Sequence, residues 1–176
     1  MTEASLRDVL LAFAIGPNRP SEAREPGAAE RAGQTVRGWE EKDVHEVARI
    51  FASGRQITRQ SLEDEEACFE RVFTILAGTM PDPTTQALVP LVQQESPRRW
   101  VVIAVLGDLK NDASVQALIG LTNSFEGLTV REQLEVVSAL GTSGNADASR
   151  RLDELARLPG LDVDVSYEIE HARKQS

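Results

Sequence analysis

Ser96 to Leu121 reads SPRRWVVIAVLGDLKNDASVQALIGL, and it spells two apolar helices joined by a tight turn. Ser96 offers a side-chain oxygen to an orphan N–H at a helix start, and Pro97 suits the first helical position, where no bond is lost. The spacing therefore predicts a helix from Pro97. The run Trp100 to Leu106 is apolar on nearly every side, which fits a helix covered on both flanks. Gly107 to Asp112 supplies turn residues, and Val115, Leu118, Ile119 and Leu121 then give a second helix one apolar stripe.

Working outward, the same grammar recurs. Towards the C-terminus, Thr129 and Glu132 have the spacing of a capping box. Leu134, Val136, Val137, Ala139 and Leu140 continue that helix, and Gly141 is expected to end it. Asn145 to Arg157 gives a further helix with Ala148, Leu152 and Leu155 inward, and Asp164 opens a last one through Val165, Tyr167, Ile169 and Ala172. Towards the N-terminus, Leu88, Val89, Leu91 and Val92 mark a helix interrupted by Pro90, which removes one backbone bond and bends it. Before it, Ser61 is an N-cap, with Glu63, Asp64, Glu65 and Glu66 favourably placed against the helix dipole. That helix runs through Cys68, Phe69, Val72, Phe73, Ile75 and Leu76 to Gly78. Trp39 to Ser53 and Ser5 to Ile15 are two more. Gly16 to Gly38 carries three prolines and two internal glycines with almost nothing apolar, and reads as a flexible loop.

The helices repeat. Leu106-Gly107 recurs at Leu140-Gly141 and Leu118 at Leu152, both with a shift of 34, while Gly78 to Gly107 is 29 and Leu88 to Leu118 is 30. Two helices and a turn at a fixed period in this range are the mark of an α-solenoid, in which each unit covers its neighbour's apolar face. The expected fold class is therefore all-α, a right-handed solenoid of stacked antiparallel helix pairs over 61–176, preceded by cap helices in 1–60 with the loop at 16–38.

Gly141-Thr142-Ser143-Gly144-Asn145 with Ala148, Leu152 and Leu155, and the stretch Leu88-Val89-Pro90-Leu91 through Arg98-Arg99 to Leu106-Gly107, resemble the HEAT-repeat superfamily. The likeness extends to its bacterial, phycobilisome-lyase-type HEAT-like repeats, an armadillo-like, alpha-alpha superhelix architecture. The resemblance implies kinked first helices, a turn arginine at Arg99 and a concave side lined by one helix of each pair. At the equivalent place the later unit has Gln133.

Composition narrows the function. The 176 residues carry a net charge of −9, with 9 basic and 9 acidic residues up to Gln60 and 10 against 19 beyond it. Clustered Lys and Arg are what phosphate backbones require, so nucleic acid is not an expected partner. No run approaches the roughly 20 apolar residues of a membrane span. Glu3 and Asp8 precede the short run Val9 to Ile15, unlike the basic start of a secretory signal, and a single cysteine forms no intrachain disulfide. A cytoplasmic protein is expected. Catalytic instruments are sparse: two histidines, one cysteine, and no phosphate-binding loop, nucleophile elbow or dinucleotide fingerprint. His45-Glu46-Val47-Ala48-Arg49 has arginine where a zinc-protease motif needs its second histidine. Glu168 and His171 have a dimetal-bundle spacing without a second copy, and Cys68 lies on an apolar stripe without a neighbouring histidine.

These features point to no enzyme, cofactor or metal, and to a protein-binding scaffold. Candidate contact residues on the second helices are Gln86, Gln93, Gln116, Asn123, Arg150, Asp153 and Arg157. The acidic body also suits an immunity-type inhibitor of a basic toxin, and the resemblance alone raises an accessory subunit of a tetrapyrrole lyase.

Overall fold

The computed structural model describes residues 1–14 and 21–175, and these are all-α, with no strand among the described residues. They form two compact units, Met1–Ala87 and Leu88–Ser176. The dividing point lies inside one helix, α6 (Pro81–Val92).

In the first unit, α1 (Glu3–Phe13) packs on α2 (Ser21–Arg24), α3 (Ala28–Arg37) and α5 (Leu62–Thr79), and α3 also meets α5. The helix α3 corrects the loop expected over 16–38. Its inward stripe is Ala28, Ala32, Gly33 and Val36, of which only Val36 is large enough to register as apolar in the sequence. A Cβ built on Gly33 would lie 3.8 Å from Ile75 Cδ1. The helix starts after Gly27, whose φ of 72° is the left-handed conformation that glycine adopts without steric cost. The helix end expected at Ile15 and the stop at Gly16-Pro17 lie outside the described residues.

Between α4 (Glu41–Ala52) and α5 the core is aromatic. Phe51 meets Phe69 and Phe73 edge-on, with centroids 5.1 and 5.4 Å apart, contacts worth about 1 kcal/mol each beyond area burial. Helix α5 lies in the unit Met1–Ala87. Ser61 caps α5 as the sequence suggested, accepting from Asp64 N at 3.1 Å. The acids behind it do more than oppose a dipole, since Glu65 is fully buried. Its Oε2 accepts from Ile57 N (3.1 Å), Thr58 N (2.7 Å) and Thr58 Oγ1 (2.6 Å). One carboxylate thus satisfies the otherwise orphaned donors of the α4–α5 connection.

The second unit contains α7 (Arg99–Leu109), α8 (Asp112–Leu121), a 3-10 turn (Thr122–Gly127), α9 (Val130–Thr142), α10 (Ala146–Leu155) and α11 (Val163–Ala172). Helix α9 lies between α7 and α11, while α8 packs on α7 and α9, and α10 on α8, α9 and α11. Helix α7 begins at Arg99 rather than Pro97, with Ser96 Oγ accepting from Arg98 N at 3.2 Å. Thr129 and Glu132 form the expected capping box.

Gly107 and Gly141 are not turn residues. Both lie inside helices, and the turn after α7 is made by Lys110 at a φ of 52°. A Cβ on Gly107 would fall 2.6 Å from Ala139 Cβ, and one on Gly141 would fall 2.5 Å from Ala172 Cβ. The 34-residue landmark is therefore a repeated close approach of helix backbones. Gly78 does not share it, for an added Cβ there meets nothing within 4 Å.

Candidate interaction surface

Of the seven residues expected at a binding face, Gln86 belongs to the first unit and the other six to the second. Gln86, Gln93, Gln116, Asn123, Arg150 and Arg157 are exposed, and Asp153 is half-buried. Gln116 lies on α8, Asn123 on the 3-10 turn, and Arg150 and Asp153 on α10.

Three of these side chains have partners within the chain. Gln93 Nε2 donates to Ala117 O at 3.3 Å and so holds the start of the unit to α8. Arg150 pairs with Asp147 at 3.2 Å one turn earlier, with both side chains more than half exposed, an arrangement worth well under about 1 kcal/mol. Asp153 accepts from Arg173 Nε at 2.7 Å, tying α10 to the chain just after α11. A partner must compete with the last contact and is little hindered by the other two.

Beneath this surface lie polar clasps that periodicity does not reveal. Arg99 Nε donates to Glu132 Oε1 at 2.7 Å and Nη2 to Oε2 at 3.2 Å, a two-pronged bond between the first turns of α7 and α9. Beside it, the Arg131 guanidinium lies 3.4 Å from the Trp100 ring centre. The expected turn arginine is thus a buried helix-to-helix clasp. Burial works against the charged form of Glu132, but bonds from Arg99, Thr129 N and Thr129 Oγ1 outweigh it and hold the carboxyl below its ordinary value. Gln133, at the corresponding place in the next unit, is buried and donates to Phe125 O at 2.8 Å. Arg151 reaches back to the 3-10 turn, with Nε on Thr122 Oγ1 (2.7 Å) and Nη2 on Thr122 O (2.8 Å). The alternation of charge along α10 hides Arg151 among its solvated neighbours, so only the fold distinguishes it.

The residues weighed for chemistry are placed as follows. Cys68 is buried, and burial pushes its thiol up to about 12, the carboxylates of Asp64 and Glu65 adding to the effect. His171 is exposed on α11 with Gln175 Nε2 3.1 Å from its Nδ1. Among the described residues no group of His, Cys, Asp or Glu side chains is arranged to hold a metal ion, and no helix is long and apolar enough to cross a membrane.

Tyr167 is 72% exposed and Val163, on the same face of α11, is 77% exposed, whereas Val165, Ile169 and Ala172 are buried. Comparison of the chain with family models, with curated proteins and with solved structures finds no match.

Proposed function

We propose that the second unit is a HEAT-like stack of helix hairpins and that the protein acts as a non-enzymatic protein-binding scaffold. The observation that carries this reading is the paired close approach of Gly107 to Ala139 and of Gly141 to Ala172. Two similar contacts, with glycines 34 and alanines 33 residues apart, set α7, α9 and α11 side by side, as stacked repeats require. Helices α8 and α10 then form a second layer whose polar residues, Gln116 and Arg150 among them, face solvent, with Arg157 exposed just after α10. Such faces serve repeat proteins as extended binding surfaces.

The test is capture with the tagged full chain from its source cells, identification of the bound protein, and titration with that protein purified. Charge reversal of Arg150 and Arg157 to Glu is expected to weaken the dissociation constant about tenfold, or about 1.4 kcal/mol, while circular dichroism stays unchanged. Unaltered affinity would remove the α10 face, and a turnover activity of the purified chain would overturn the non-enzymatic reading.

The acidic balance favours a second reading, an inhibitor of a basic effector. The first unit holds 10 basic and 15 acidic residues and the second 9 and 13, so both carry the excess. Association steered by charge would slow steeply as salt rises.

A further inference from the structure

We infer that the outer face of α11 is a docking surface for a basic amphipathic segment of another protein. This deepens the protein-binding reading and rests on it. At 3.6 residues per turn, Val163 and Tyr167 project from one side of α11, opposite the buried stripe of Val165, Ile169 and Ala172. An aliphatic and an aromatic side chain at i and i+4, each more than 70% in water, are anchors of the kind a groove-binding or face-binding helix uses.

The surroundings specify the occupant. Between Leu161 and Ala172 the chain carries Asp162, Asp164, Glu168 and Glu170 and no Lys or Arg. Just after the helix, Arg173 already donates to Asp153, and one exposed cation, Lys174, stands against these four carboxylates. A second copy meeting this face about a two-fold axis would set these carboxylates against their own images, which is costly. A helix with Lys or Arg flanking two or three apolar residues would meet both the anchors and the charge.

Selection of a displayed library of random peptides on the immobilised full chain tests this. Enrichment of Lys- and Arg-rich amphipathic sequences is expected. The synthesised winner should lose about tenfold in affinity to the double variant Val163→Ser/Tyr167→Ser, and a similar factor to Asp164→Lys/Glu170→Lys. Both changes lie in solvent, so circular dichroism should hold, and the unfolding midpoint should fall only slightly, for the cation placed in the first turn of α11. Enrichment of neutral or acidic peptides, or binding indifferent to both variants, would overturn the inference. Self-association in sedimentation that the Val163/Tyr167 variant abolishes would overturn it too, by making the occupant a second copy. Peptides lost on Arg150/Arg157 reversal but kept by the α11 variants would end this inference and leave the scaffold reading standing; enrichment of nothing would count against both.

Discussion

Gly107 faces Ala139 across α7 and α9 so closely that a Cβ on the glycine would sit 2.6 Å from the alanine's own. Inside a helix, alanine is ordinarily favoured over glycine by about 1 kcal/mol. Here the clash opposes that gain, because overpacking a tight contact costs about 1–3 kcal/mol. Gly107→Ala is therefore expected to lower stability by about 1 kcal/mol net, seen as a reduced urea midpoint. Ala139→Gly in the same chain should restore part of the loss, since the remaining neighbour, Ala139 Cα, is 3.3 Å away.

The equivalent contact one repeat later behaves differently. A Cβ on Gly141 would meet not only Ala172 Cβ but also Ala172 Cα at 2.8 Å and its carbonyl oxygen at 3.3 Å. Backbone does not yield as a methyl group does. Gly141→Ala is expected to cost more than Gly107→Ala, and Ala172→Gly should fail to rescue it. A stabilising effect of either alanine would show that the helices stand further apart than described.

The Arg99–Glu132 clasp makes a prediction with a pH signature. Its side chains are 11% and 6% exposed, so removing one partner leaves the other charge buried, at a cost of about 3 kcal/mol. Glu132→Gln is expected to lose most of that at neutral pH. Because the folded carboxyl titrates below its ordinary value of 4.5, its contribution is whole above that value and fades as the pH falls through the folded-state pKa. The stability gap between wild type and Glu132→Gln should therefore narrow in acid. Trp100 fluorescence in a Trp39→Phe background follows this unit alone, and a gap constant from neutral to strongly acidic pH would refute the clasp.

Large apolar side chains at helical spacing made most of the helices legible, and the caps at Ser61 and Thr129 could be read because side-chain oxygens at those positions have one local use. What escaped was governed by partners distant in sequence. Helix α3 was hidden because Ala28, Ala32 and Gly33 offer too little apolar side chain to form a visible stripe. Gly107 and Gly141 were visible as a period and misread as stops, since glycine breaks a helix unless another backbone needs its missing side chain. In the candidate surface, Gln116 is exposed on α8, and Asn123 and Arg157 are exposed outside the α-helices. The tie from Asp153 to Arg173, the clasp of Arg151 on Thr122 and the exposure of Tyr167 depend on which helix packs where, and no local pattern encodes that.

Glu65 supplies the last prediction. Its carboxylate is fully buried, and its bonds run to Ile57 N, Thr58 N and Thr58 Oγ1. A carboxylate presents only acceptors to these three donors, whereas an amide presents one acceptor oxygen and a donor NH2. Glu65→Gln keeps the shape but sets an NH2 in place of Oε1, facing Ile57 N at 3.4 Å, or, flipped, facing all three donors, and in either case it gives up the charge-assisted bonds, a cost of about 1–3 kcal/mol. Amide hydrogen exchange at Ile57 and Thr58 should accelerate in the variant while the amides of α7 and α9, in the other unit, keep their protection. Thr58→Val, which removes one donor and leaves the backbone bonds in place, should cost less than Glu65→Gln. Exchange at Ile57 and Thr58 that is already fast in the wild-type protein would mean that this connection is not held by the carboxylate.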